Sequence, residues 1–167
     1  LLTHGCMVDK DGKKMSKSIG NTIEVDDLLK EHGADVCRWW VASLSYENDI
    51  KVDKSYFAVA GESYRKVRNT LRFMLSNLDD YPLPEGGGRG VGSVGTTRVG
   101  SESRPTGLDA WVLAEFERVR AGVTAAYEAY DFQAAHKLIY DFCNDTLSAT
   151  YLAAIKDRMY CDRPDSP

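Results

Sequence analysis

Three lysines and two serines lie within six residues near the start of the chain, and side chains of these types could bind a polyphosphate. The run is Lys13 followed by Lys14, Met15, Ser16, Lys17 and Ser18. A lysine ammonium is a compact charge with three donors on a flexible stem. Gly12 and Gly20 flank the run and allow the backbone to turn and to approach a ligand closely. The spacing predicts a phosphate-binding loop, although most Lys/Ser clusters are solvated basic turns.

The segments on either side of this loop predict a strand before it and helices after it. Residues 1–8 are apolar and run into a turn at residues 9–12, which indicates a short buried strand. Because one strand cannot form a sheet alone, we expect its neighbours upstream, in a longer protein of which this chain is the middle. Asp26 is the expected N-cap of a first helix, which ends at Gly33. A second helix is expected from Ala34 to about Ser43, and Arg38 on it could face a phosphate.

A long helix is predicted from about residue 53 to residue 79, after an extended stretch at 49–53. Apolar residues at helical spacing form its expected packing stripe: Phe57, Ala60, Tyr64, Val67, Leu71, Met74, Leu75 and Leu78. The other side carries four cations: Arg65, Lys66, Arg68 and Arg72. Such a positive band is either a solvated face or a contact for an RNA backbone.

Two more helices are predicted, one at residues 108–130 and one at residues 131–159. They follow each other so tightly that the pair should be antiparallel. The first has an expected stripe of Trp111, Glu115, Phe116, Val119, Val123 and Tyr127, and aromatic residues here are expected in a core rather than on a base-stacking platform. Lys156 and Arg158 could lie on a bare surface or face RNA, and the sequence leaves that choice open. The glycine-rich residues 85–107 are predicted to form a flexible linker.

Composition narrows the class of protein. The chain has 167 residues, 43% hydrophobic and 28% charged, which is typical of a packed domain with no bilayer-spanning run. Its net charge of −4 gives no global basic field for nucleic acid, so local clusters must provide any RNA contact. The four cysteines contain no CxxC pair, which argues against a structural zinc site and a disulfide framework. We expect a cytoplasmic protein with no membrane partner and no metal site in this part.

Residues 14–18 read KMSKS and continue with Gly20-Asn21, and the sequence here resembles the class I aminoacyl-tRNA synthetases. Further segments are similar to the isoleucyl branch of that family: GAD at 33–35, RWWVAS at 38–43, RNTLRF at 68–73 and IKDRMYC at 155–161. The resemblance extends over nearly all of the chain except its glycine-rich stretch. The valyl and leucyl branches share the pentapeptide but resemble the later segments less well, and they remain the alternative within the class.

This resemblance implies a mainly α fold made of three parts. Residues 1–24 would be the C-terminal edge of a Rossmann-like α/β catalytic domain, residues 25–52 a connector beside the tRNA stem, and residues 53–167 a helical anticodon-binding bundle. The family activates an amino acid with ATP and transfers it to tRNA, so the implied partners are isoleucine, ATP and tRNA(Ile), with Mg²⁺ expected to accompany ATP. Lys14 and Lys17 would reach the triphosphate, with Met15, Ser16 and Ser18 completing the ATP loop. The implied tRNA contacts are Arg38, Arg65, Lys66, Arg68 and Arg72.

One departure from the family pattern limits what this chain can do alone. The family's second ATP motif, HIGH, is absent, because His4-Gly5 lacks the second histidine. We therefore expect the full-length protein to be an enzyme and this fragment alone to be inactive. A non-catalytic tRNA-binding helical module is the alternative from a different class, and a helical scaffold that binds no nucleic acid is a third.

Overall fold

The computed structural model describes residues 3–78 and 107–161, which are mostly helical. Two short strands are present in these ranges, β1 at Met7–Val8 and β2 at Ile50–Lys51. The α-helices are α1 (Val25–His32), α2 (Ala34–Ala42), α3 (Lys54–Ser76), α4 (Gly107–Glu128), α5 (Phe132–Asp141), α6 (Leu152–Ala154) and α7 (Lys156–Cys161). A π-helical segment, Phe142–Tyr151, connects α5 to α6. The prediction of a mainly α fold is confirmed.

The first strand pairs with a strand inside the chain, so this neighbour does not lie upstream, where the sequence predicted its neighbours. β1 runs parallel to β2, with Met7 opposite Ile50 and Val8 opposite Lys51. The two segments approach so closely beside the sheet that a Cβ on Gly5 would lie 2.1 Å from the carbonyl oxygen of Asn48. Only glycine fits this position, because the atoms that a Cβ would meet belong to the backbone of Asn48 and Asp49 and cannot move aside. A contact between residues so far apart in sequence leaves no local signal.

Helices α1 and α2 form a tight corner at Gly33, as predicted. Gly33 has φ +83°, a conformation that L side chains rarely adopt, and its N–H donates to the carbonyl of Leu29. The predicted N-cap was wrong by two residues: α1 begins after Glu24, and Asp26 lies in the first turn instead. An acidic residue there still interacts favourably with the positive end of the helix dipole.

Helix α3 joins the two halves of the hydrophobic core. Its N-cap is Asp53, whose carboxylate accepts a hydrogen bond of 2.8 Å from the N–H of Ser55. One core cluster surrounds the first half of α3 and consists of Leu28, Trp40, Val52, Phe57 and Ala60. A second surrounds its second half and consists of Val67, Val112, Cys143 and Leu147. Trp39 packs against both clusters, so this one side chain links the connector to the bundle.

The apolar stripes of α3 and α4 differ in part from the predicted ones. Leu71, Leu75 and Leu78 at the end of α3 are exposed, with 46%, 69% and 55% of their surfaces accessible. On α4 the buried residues are Val112, Val119 and Ala126, of which Val119 was predicted. Trp111, Phe116 and Tyr127 are exposed. The predicted inward face of α4 is therefore centred correctly but too wide, because Trp111 and Tyr127 lie ~80° to either side of Val119 around the helix axis.

The predicted single helix at 131–159 is interrupted twice. It begins as predicted after Asp131, whose carboxylate caps the N–H of Ala134 at 2.9 Å, and Tyr130 makes the preceding tight turn with φ +59°. The π segment widens the coil over ten residues, and a further break follows at Ile155. Residue periodicity cannot distinguish π from α geometry, because both place apolar side chains every three to five positions.

Several sequence expectations concern the rest of the chain. The predicted linker lies outside the described residues except for Gly107, which begins α4. Within residues 3–78 and 107–161, no helix combines the length and apolar character needed to cross a bilayer. All four cysteines are free thiols. Burial raises the pKa of the Cys143 thiol, so this residue behaves as a small core side chain.

Candidate functional site

The lysine-serine loop lies between β1 and α1 and presents its cations to solvent. The backbone of Lys14 forms an antiparallel bridge with Val8, the last residue of β1. The side chains of Lys13, Lys14 and Lys17 are exposed. Within the described part of the chain, none of these three lysines has an ion-pair partner. Cations without an acidic partner are available to an anionic ligand.

Two residues outside the pentapeptide hold the base of this loop, and we call them the Asp9–Asn21 hub. The carboxylate of Asp9 accepts hydrogen bonds from the N–H of Asp11 at 3.0 Å and of Lys13 at 2.8 Å. It also accepts one from Asn21 Nδ2 at 2.8 Å. Asn21 Oδ1 in turn accepts a hydrogen bond of 2.8 Å from the N–H of Ser16. The hub therefore ties the residues before the pentapeptide to those after it.

Hydrogen bonding within the pentapeptide gives it a compact turn. Ser16 Oγ lies 2.7 Å from Ser18 Oγ, and the carbonyl of Ser16 accepts a hydrogen bond of 3.1 Å from the N–H of Gly20. Gly20 has φ +73°, which favours glycine there. Met15 points the other way and packs against the core cluster of the connector. One apolar anchor and one hydrogen-bonded hub thus position two flanking lysines.

The hub also sets the ionisation of its carboxylate. The hydrogen bonds from Asn21 and from the N–H of Lys13 hold the pKa of Asp9 below its ordinary value. Asp9 therefore stays ionised around neutral pH and serves as a permanent acceptor for the loop backbone. Sequence reasoning overlooked this role and treated Asp9 only as part of a turn. An available signal was the Asp-x-Asp-Gly-Lys pattern, because an aspartate two to four residues before exposed N–H groups commonly caps a turn.

The four predicted RNA-contacting cations of α3 are all exposed, but they do not form one band. Arg65, Arg68 and Arg72 lie within ~60° of one another around the helix axis, whereas Lys66 is ~100° away from Arg65. Arg65 pairs with Glu62 at 2.7 Å. Arg68 and Arg72 line a shallow groove with apolar neighbours: Tyr64, Val67, Leu71 and Leu75. Lys66 lies on a different groove, together with Lys156 from α7.

Arg38 occupies a third location, away from the other predicted cations. It is exposed on α2 and lines a cleft of about 690 Å³ between the connector and α5. Asp35 and His136 line the same cleft. Metal binding has no candidate in the described ranges, where no group of three or more His, Cys, Asp or Glu side chains is placed to hold an ion.

Two family models match this chain, one at each end. The model described as tRNA synthetases class I (I, L, M and V) matches residues 1–53, which contain the lysine-serine loop. The model described as the anticodon-binding domain of tRNA ligase matches residues 109–167.

Several known proteins resemble the chain along nearly its whole length. Isoleucine–tRNA ligases from Desulfotalea psychrophila and Carboxydothermus hydrogenoformans are both 42% identical over 166 residues, or 99% of the chain. That from Desulforudis audaxviator is 43% identical over 97% of the chain. The chain spans only 16% to 17% of the length of these relatives.

A similar fold is found in the crystal structure of the ternary complex of Agrobacterium radiobacter K84 agnB2 LeuRS with tRNA and LeuAMS. The superposition gives a TM-score of 0.60 and 22% identity, and it includes 90% of this chain and 18% of that one. At this identity the likeness concerns the fold.

Proposed function

The chain belongs to the class I aminoacyl-tRNA synthetases, and from that premise we propose that it is part of a cytoplasmic isoleucine–tRNA ligase. The observation that carries the proposal is the exposed loop at residues 14–18, whose lysines have no acidic partner among the described residues and whose base is held by the Asp9–Asn21 hub. Identity near 40% over nearly the whole chain with isoleucine–tRNA ligases favours the isoleucyl branch.

In the proposed reaction, isoleucine is first activated by ATP. A carboxylate oxygen of the amino acid attacks the α-phosphorus of ATP, the bond from that phosphorus to the pyrophosphate oxygen breaks, and pyrophosphate leaves. A ribose hydroxyl at the tRNA terminus then attacks the acyl carbon, and AMP is released. Lys14 and Lys17 are proposed to hold the triphosphate and to stabilise the negative charge that develops on it, with Lys17 the closer to the transition state.

The other groups have supporting roles in this proposal. Ser16 and Ser18 shape the turn, and Met15 anchors it to the connector core. Mg²⁺ would accompany ATP and offset the negative charge of its phosphates. Residues 1–24 would be the edge of the catalytic domain, 25–52 the connector and 53–167 the anticodon-binding bundle. The exposed cations Arg38, Arg65, Lys66, Arg68 and Arg72 are the proposed contacts to tRNA(Ile).

The decisive experiment is isoleucine-dependent ATP–pyrophosphate exchange by the full-length protein that contains this chain. Lys17→Ala should lower the exchange rate by about 10²- to 10³-fold, the usual effect of removing one transition-state donor, and should leave tRNA affinity within about twofold. Lys10→Ala is the matched control, because Lys10 is an exposed lysine just before the loop. Unchanged exchange in Lys17→Ala would remove the proposed role of the loop, and exchange with valine or leucine instead would reassign the branch.

A further inference from the structure

We propose that the groove containing Lys66 and Lys156 binds the sugar–phosphate backbone of tRNA, and we call it the Lys66–Lys156 groove. It lies between α3 on one side and the π segment, α6 and α7 on the other, with a volume of about 550 Å³. The proposal rests on the proposed function and adds to it a defined RNA site, which includes Lys156, a residue whose role the sequence left open.

The chemistry of the groove lining suits a polyanion with hydroxyl groups. Its residues are Lys66, Asn69, Thr70, Phe73, Asn144, Ser148, Leu152, Ala153 and Lys156. Two of these are cations and none is an acid. Neither lysine has an ion-pair partner among residues 3–78 and 107–161. Lysines fit phosphate oxygens, and amide and hydroxyl side chains can contact phosphates and 2′-hydroxyls.

The α3 wall presents its groove-lining residues on one face. Lys66, Asn69 and Phe73 are three and four residues apart, so they lie nearly in line along the helix. Lys66 Nζ donates a hydrogen bond of 3.3 Å to the hydroxyl of Tyr140, and the ammonium lies 5.9 Å from the centre of that ring. These contacts restrict where the cation can move and leave it two further donors for a ligand.

The opposite wall is built by the irregular part of the last helices. Asn144, Ser148 and Lys156 reach the groove from the π segment and from α7. Thr70 ties the two walls together at its base: its side chain is only 5% exposed, and its hydroxyl lies 2.9 Å from the carbonyl of Lys66 and 3.4 Å from that of Cys143. The groove is therefore a fixed feature of the packing, and extended π segments are rare enough to suggest a functional reason for this one.

Acidic residues near the groove do not close it. Asp145 follows Asn144 and accepts a hydrogen bond of 2.6 Å from the Asn144 amide. Asp157 follows Lys156 in sequence. Neither carboxylate lines the groove, which leaves the two ammonium groups as the charges that face it.

The arginines of α3 are also proposed tRNA contacts, but their side of the helix has a lining less suited to an RNA backbone than the Lys66–Lys156 groove. Arg65 already has an acidic partner in Glu62. The groove beside Arg68 and Arg72 is lined by exposed leucines, and Leu75 has 69% of its surface accessible. A contiguous apolar surface of this kind is typical of packing between protein segments. Of the two faces that the α3 cations occupy, the Lys66–Lys156 groove has the composition that RNA requires.

The test measures tRNA affinity of the full-length protein as a function of salt. Lys66→Ala and Lys156→Ala should each weaken tRNA binding by about fivefold near 0.1 M salt and reduce the slope of log K against log salt by about 1. Ser148→Glu, which places an acid in the groove at an exposed position, should weaken binding at least as much. Lys54→Ala is the matched control, because Lys54 is an exposed lysine ~18 Å away along the same helix.

The outcomes separate this proposal from the proposed function. Lys156→Ala, Ser148→Glu and Lys54→Ala should retain wild-type ATP–pyrophosphate exchange, since these residues are not part of the ATP loop. If wild type binds tRNA and the groove variants match Lys54→Ala, the groove proposal fails and the proposed function stands. A loss of affinity confined to Arg68→Ala and Arg72→Ala would assign RNA to the arginine face instead. If wild type shows neither exchange nor tRNA binding, the proposed function itself is wrong.

Discussion

Asn21 forms hydrogen bonds with both sides of the lysine-serine loop, although it is neither one of the lysines nor one of the serines of that loop. Its amide accepts from the N–H of Ser16 and donates to Asp9, both at 2.8 Å. Asn21→Ala removes both bonds, which should loosen the loop by about 1–3 kcal/mol. Trypsin should then cleave after Lys14 and Lys17 about tenfold faster or more, as measured by limited digestion of the chain with mass spectrometry.

Asn69→Ala is the control for this measurement, because Asn69 is an exposed amide on α3 away from the loop. Equal cleavage rates for Asn21→Ala and wild type would show that the hub does not hold the loop.

The ionisation of Asp9, the hydrogen-bond partner of Asn21, sets the pH range over which we expect the hub to persist. Since the pKa of Asp9 is lowered in the folded chain, its contribution is complete above the ordinary value of about 3.9 and is lost as pH falls through the folded pKa. The hub should therefore persist at neutral pH and fail only in acid.

At the scale of elements, the sequence predicted what local signals determine. Residues close to one another in sequence determine three features: the corner at Gly33, the start of α3 after Asp53, and the loop at residues 14–18. The pairing of β1 with β2 depends on backbone contact between Gly5 and Asn48, which no local pattern encodes. The π segment packs against α3 and α4, and the α-helical pattern of its sequence did not predict its geometry.

The cations of α3 show the same division between local and tertiary information. The sequence predicted all four as one band on one face of the helix. All four are exposed, but they are divided between two faces. Their distribution over two grooves depends on which neighbour packs beside each, and so does the meeting of Lys66 with Lys156. The turn around Asp9 could in principle have been predicted from the sequence, because its hydrogen bonds join residues close together in the chain. Only its connection to Asn21 across twelve residues needed the structure.

His136 gives the junction between connector and bundle a pH dependence. Its ring centre lies 4.1 Å from that of Trp39, and its Nε2 atom is buried with no hydrogen-bond partner in residues 3–78 and 107–161. Burial lowers the pKa of His136, an effect that the nearby Asp141 partly opposes. The unfolded chain therefore binds this proton more readily. The titration of His136 has no effect on the free energy of unfolding above about pH 6.5. Below that value the free energy of unfolding decreases as the pH drops towards the pKa of the folded state.

Thermal unfolding of the chain at pH 7.5 and pH 5.5 checks this expectation. Wild type should have the lower Tm at pH 5.5. His136→Phe keeps an aromatic ring against Trp39 and removes the titrating group, so the difference in Tm between the two pH values should shrink by half or more. His4→Phe is the control, because His4 is an exposed histidine near the N-terminal end. An undiminished difference in His136→Phe would assign the pH dependence to other groups.

Viewed as a whole, the molecule carries the proposed ATP loop and the Lys66–Lys156 groove on one continuous packed frame of helices. Met15 anchors the loop to the connector cluster, and Trp39 joins that cluster to the bundle. Thr70 then ties α3 to the π segment beside the groove. These packing contacts connect the two proposed sites and should keep the distance between them fixed. All of the contacts lie within the described ranges. The net charge of −4 also means that the positive surfaces are local features of this frame.

The isolated chain should therefore bind tRNA without catalysing adenylation. Two unpaired lysines in one groove predict weak binding, with Kd of about 10⁻⁴–10⁻⁶ M and a salt slope of about −1 to −2. Isoleucine-dependent pyrophosphate exchange should stay at background, because the sequence has the KMSKS half of the family's ATP site and no HIGH motif, and it spans 16% to 17% of its relatives. Filter binding at two salt concentrations and an exchange assay on the same preparation test both expectations. Salt-independent binding would contradict the electrostatic groove, and exchange above background would mean that residues 14–18 have partners within this chain that the family pattern does not predict.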